Sequence, residues 1–115
     1  MEFVSKQQAY DAVQKLVLQS ASGDDALADV AVRMEMADGR SRDPLLYQGF
    51  LDTITADPLS PQDALCAAVE FMEEKAAVGA SPSGQTLLAD AKAAAQDPED
   101  APVFWNRWIA LLASV

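Results

Sequence analysis

Residues 60–79 read SPQDALCAAVEFMEEKAAVG, and this stretch decides the fold. Ser60 is a helix-capping residue, and Pro61 suits the first helical position. Asp63 sits where the positive end of a helix dipole favours an acid. Leu65, Ala68, Val69, Met72 and Ala76 then recur at helical spacing, with Phe71 on the flank. The pattern predicts a helix from Ser60 to about Val78, ended by Gly79.

The same grammar extends toward the N-terminus. Asp43 and Pro44 form a second cap-plus-proline start, followed by Leu46, Tyr47, Phe50, Leu51 and Ile54. Gly49 within that helix costs about 1 kcal/mol relative to Ala and suits a close neighbour. Asp57-Pro58 should end it, because the residue before a proline is pushed out of the helical region. Ser5 and Gln8 form a capping box for a first helix running to Ser20, with Val4 and Ala9 as a weak staple. Its apolar face is Ala9, Val13, Leu16 and Val17, with Tyr10 alongside. Asp24 or Asp25 starts a second helix carrying Leu27, Val30, Ala31 and Met34, with Gly39 beyond its end. Gly39-Arg40-Ser41-Arg42 reads as a short, locally basic loop.

Toward the C-terminus, Gly79-Ala80-Ser81-Pro82-Ser83-Gly84 reads as a linker or mobile loop. A fifth helix is predicted over Gln85–Gln96, with Leu87, Leu88 and Ala91. Two prolines and three acids interrupt the chain at 97–102. The last helix, about Pro102–Ala113, is apolar nearly all round, which suits either a central position or a face awaiting a partner.

These elements predict an all-α fold: a single domain over 1–115, built as a compact bundle of five to six short helices. Three stacked helical hairpins are the alternative arrangement. Asp25-Ala26-Leu27 and Asp63-Ala64-Leu65 lie 38 positions apart, as do Met34-Glu35 and Met72-Glu73. That period falls between those of TPR and HEAT repeats, but neither consensus is present. An irregular bundle is therefore the default expectation.

Composition narrows the chemistry. The chain has 115 residues, half of them apolar, which suffices for one modest core. It holds 18 acids against 8 bases, a net charge of −10, and no histidine. A basic face for nucleic acid or for an anionic membrane is absent from such a balance. The single cysteine, Cys66, allows no intrachain disulfide. Without histidine, Ser-His-Asp and Cys-His mechanisms and the usual Cys/His zinc sites drop out. The first residues carry no secretory pattern, and no apolar run is long enough to span a membrane. A cytoplasmic, non-enzymatic protein is expected, with no cofactor and no metal.

The acids are uneven. Residues 52–100 hold ten acids and two bases, whereas residues 1–51 hold eight and five. Asp63, Glu70, Glu73 and Glu74 put several carboxylates near one helical face. Such carboxylates are suited to a basic protein partner or to a hard cation, but mostly form a solvated face. The di-metal helical bundles pair Glu with a His at i+3, which this chain lacks. Trp105, Trp108 and Phe104 are the bulkiest residues of the last helix and suit a core that is otherwise rich in alanine. Trp105 is the candidate interface anchor among them. Cys66 is expected as a small buried apolar residue of low reactivity. Arg40 and Arg42 are too few for a phosphate site, and no phosphate loop or hydrolase motif occurs.

The expected function is an acidic protein-binding module, of the kind exemplified by an immunity protein or antitoxin inhibiting a basic partner. Asp63, Glu70, Glu73 and Glu74 would steer association, and Trp105 would anchor it. Two alternatives are a helical-hairpin scaffold or chaperone holding a peptide in an apolar groove, and a small metal- or ligand-binding bundle.

Overall fold

A computed structural model describes residues 3–37 and 40–115. Among these residues the fold is an all-α bundle of six helices: α1 (Lys6–Ser20), α2 (Asp25–Met34), α3 (Pro44–Thr53), α4 (Pro61–Glu70), α5 (Pro82–Gln96) and α6 (Pro102–Ser114). A two-residue antiparallel hairpin, β1 (Met36–Ala37) and β2 (Arg40–Ser41), joins α2 to α3.

Local side-chain bonds start most of the helices. Ser5 and Gln8 form the expected capping box. Asp24, Asp43, Ser60 and Ser81 each accept a backbone N–H from the first turn of their helix. Only α6 begins without a side-chain cap, at Ala101.

One buried cluster runs from Val4 to Leu112. At its centre the Tyr10 ring lies 4.9 Å from Tyr47, edge to face, and 5.7 Å from Phe50. Phe50 in turn meets Phe71 at 5.4 Å. These contacts join α1, α3 and the end of α4 through aromatic pairs at favourable angles. The fully buried Trp108 donates its indole N–H to the Pro61 carbonyl at 3.0 Å, tying α6 to α4. Helix α6 closes the bundle by returning to α1, where the Gln8 amide donates to the Leu112 carbonyl at 2.7 Å. Leu27 and Leu65, like Met34 and Met72, are buried at the 38-residue offset.

Several boundaries differ from the sequence reading. The stretch 79–84 is not a linker. Residues Val78–Ala80 form a 3₁₀ turn, Ser81 caps Gly84, and Pro82 opens α5 three residues before the expected Gln85. Helix α4 is regular only to Glu70. It then widens into a π turn over Phe71–Lys75, in which the Ala76 N–H bonds to the Phe71 carbonyl at 3.0 Å. Phe71 and Met72 open this wider turn, and both are fully buried. The chain leaves this turn through Ala77 at φ 52°, so an alanine rather than Gly79 occupies the left-handed position.

Helix α3 stops at Thr53, short of Asp57-Pro58. The Thr53 hydroxyl donates back to the Phe50 carbonyl at 2.6 Å, competing with helix continuation, and Ile54 is extended. The following segment carries Leu59 to Val4, whose N–H bonds to the Leu59 carbonyl at 2.8 Å. Val4 thus bridges to this loop through its backbone, and its side chain, like that of Ala9, is buried. The expected basic loop is partly the β hairpin, whose exit is held by an Arg42–Glu35 ion pair. Helix α2 ends at Met34 with Glu35 as its C-cap, well before the expected end at Gly39, because the chain turns into β1. Gly39 itself, like Met1 and Glu2, lies outside the described residues.

Candidate functional site

Ser60 anchors the acidic stretch by accepting the Asp63 N–H at 3.0 Å. This fixes the first turn of α4 and places Asp63 on its exposed side. Glu70, one heptad later, returns to the same side. The two carboxylates line a depression of about 140 Å³ together with Thr53, Thr55, Leu59 and Cys66. The early end of α3 forms the opposite wall, because the extended segment after Thr53 runs beside α4. Neither Asp63 nor Glu70 has an ion-pair partner among the described residues.

The π turn separates the remaining acids from these two. Glu73 reaches α5 and pairs with Lys92. Glu74 is exposed on the same turn, beyond the depression. The four carboxylates that the sequence places on one face therefore divide. Asp63 and Glu70 share a concavity, Glu73 is partly neutralised, and Glu74 stands apart. Among the described residues, no group of three Asp, Glu, Cys or His side chains is arranged to hold a metal ion.

Trp105 is partly buried, packs against the core and is not among the residues lining the acidic depression. The apolar side chain that α6 does expose is Val103, 84% accessible, in line with Asn106 and Ala110. Helix α6 is thus a peripheral helix with one bare stripe, not the central helix of the bundle. Cys66 is exposed, contrary to its expected buried role. Partial burial of the thiol and the nearby Asp63 carboxylate push its pKa up, so the unreactive thiol form is favoured.

A second concave region was not anticipated from the sequence. Between α5 and α6 lies a cleft of about 380 Å³ that includes Asp90, Asp100, Val103, Phe104 and Arg107. A neighbouring hollow of about 270 Å³ continues toward the end of α1 and shares Asp90 and Arg107 with it. The Arg107 guanidinium donates through Nε to Gln19 Oε1 at 3.2 Å and through Nη2 to Ser20 Oγ at 3.4 Å. The available sequence signal was a lone arginine on an otherwise apolar helix. Val103 and Phe104 share its helix, but Gln19, Ser20 and Asp90 lie 17 to 88 positions away, and periodicity carries no trace of these.

No helix among the described residues is long and apolar enough to cross a membrane. No protein-family model matches the chain, and neither a curated protein nor a solved structure matches it.

Proposed function

We infer that the protein is a non-enzymatic binding module whose α4 surface receives a basic protein. The observation that supports this reading is the concavity shared by Asp63 and Glu70, two carboxylates that no described basic side chain neutralises. An exposed ion pair contributes little on its own, about 0–1 kcal/mol. Two unpaired carboxylates at one hollow, within a strongly acidic half of the chain, favour a Lys or Arg supplied from outside. Their main effect is on the rate of encounter and on partner choice. Inhibition of a basic toxin or nuclease is the most concrete form of this role.

The test is capture of basic proteins from the native host's lysate at low and high salt, comparing the wild-type chain with an Asp63→Lys, Glu70→Lys variant. The expected result is a basic protein retained by the wild type, released by salt and lost from the variant. Equal retention by both chains would overturn the reading.

A further inference from the structure

We propose that the cleft between α5 and α6 binds a small zwitterion, an amino acid or short peptide, with its carboxylate on Arg107 and its ammonium facing Asp90. This site is separate from the Asp63–Glu70 hollow, and it stands or falls independently of the partner proposed for that surface.

The described cations of the chain fall into two groups, paired and unpaired. Arg33 pairs with Asp29 and Asp43, Arg42 with Glu35, and Lys92 with Glu73, whereas Lys6, Lys15 and Lys75 have no ion-pair partner among the described residues. Arg107 has no carboxylate at ion-pair distance among the described residues, although acids outnumber bases 18 to 8 in the chain. It is held instead by two neutral oxygens, on Gln19 and Ser20 in the last turn of α1. These bonds orient the guanidinium plane without cancelling its charge. A guanidinium has five N–H donors, and the two bonds leave three for an incoming group. A carboxylate matches that geometry.

The walls select the rest of the ligand. Asp90 lines both hollows, and Asp100 lines the larger one. These carboxylates oppose a dianion such as phosphate and favour a ligand that also carries a positive group. Leu87 and Phe104 supply buried apolar wall, and Val103 leaves an exposed apolar edge for a side chain. The cleft is within the size range of small-molecule sites, and its mix of apolar wall and few convergent charges is typical of them.

The experiment is an amide and arginine Nε–H NMR titration of the full chain with leucine, glycyl-leucine, leucinamide, N-acetyl-leucine and inorganic phosphate. The expected result is a saturable shift at Arg107 with leucine or glycyl-leucine, the tighter of the two showing whether the source is a free amino acid or a peptide. Leucinamide, which lacks the carboxylate, should bind at least about tenfold more weakly, as should the Arg107→Gln variant toward leucine. Asp90→Asn should weaken leucine but not N-acetyl-leucine, whose nitrogen carries no charge.

Absence of any saturable shift, equal binding of leucinamide and leucine, or tighter binding of phosphate than of leucine would each overturn the proposal. The comparison of ligands on the wild-type chain decides the matter even where a variant fails to fold.

Discussion

Gly84 lies beneath the carbonyl of Val78, so close that a Cβ at residue 84 would sit 1.6 Å from the Val78 oxygen. The obstacle is backbone, which cannot swing aside as a side chain does. Helix propensity alone favours Gly84→Ala by about 1 kcal/mol. Overpacking against a fixed carbonyl acts in the opposite direction, by about 3 kcal/mol, and should win. The expected outcome is a lower denaturation midpoint for Gly84→Ala in urea. A midpoint equal to or above that of the wild type would show that the 3₁₀ turn at Val78–Ala80 does not hold this geometry.

Ala77 presents the reverse case. It adopts φ 52°, where an L side chain costs about 1 kcal/mol or more and glycine costs little. Its side chain is exposed, so no packing is lost on removing it. Ala77→Gly should therefore stabilise the fold by about 0.5–1 kcal/mol, against the usual penalty for introducing glycine. Chemical denaturation of the two chains side by side measures this, and destabilisation by the variant would count against the left-handed turn.

Tyr10 is fully buried, and its hydroxyl lies 2.9 Å from the Met34 carbonyl and 3.0 Å from Ser41 Oγ. Ser41 keeps other partners at the Arg33 and Asp43 carbonyls. The Met34 carbonyl, at the end of α2, loses the hydroxyl when Tyr10 is replaced by Phe. Tyr10→Phe should cost about 1–2 kcal/mol with little change in the core's shape. Thermal unfolding followed by circular dichroism gives the difference. A neutral result would mean that water reaches the α2 end.

Acid stability should depend on two helix caps. The Arg33 guanidinium holds the Asp43 carboxyl below its ordinary range, helped by the N–H groups of the first α3 turn. The Ser81 hydroxyl, with the Leu27 N–H, does the same for Asp24. In both cases the folded-state pKa lies below the unfolded one. The resulting stability is present above the ordinary carboxylate pKa and is lost as pH falls through the lowered value. Replacing both by Asn keeps a capping side chain but removes the titration. The double variant should show a flatter decline of melting temperature with acidification. An unchanged slope would assign acid unfolding to other carboxylates.

Helix starts were legible because capping is local. Ser5, Asp43 and Ser60 each bond an N–H two or three residues ahead, within reach of sequence reading. Ser81-Pro82 belongs to the same grammar, yet the glycines at 79 and 84 and the serine at 83 outweighed it as linker composition. The candidate site was less legible. Helical periodicity placed Asp63, Glu70, Glu73 and Glu74 together, but the π turn at Phe71–Lys75 divides them. That turn holds the fully buried Phe71, which meets Phe50, and Met72, and no residue type in the stretch marks it in the sequence.

The amino-acid sequence by itself determined the helical class and most helix starts. Alanine-rich stripes and cap-plus-proline pairs act over three or four residues and need no distant partner. Tertiary structure alone decided the π turn that ends α4, the hollow between the α3 exit and α4, and the neutral cradle of Arg107. Each depends on a contact between residues far apart in the chain, such as Val4 with Leu59, Phe50 with Phe71, and Gln19 with Arg107. Those contacts arise from packing whole helices against one another, where burial of apolar surface outweighs the small local preferences that a sequence displays.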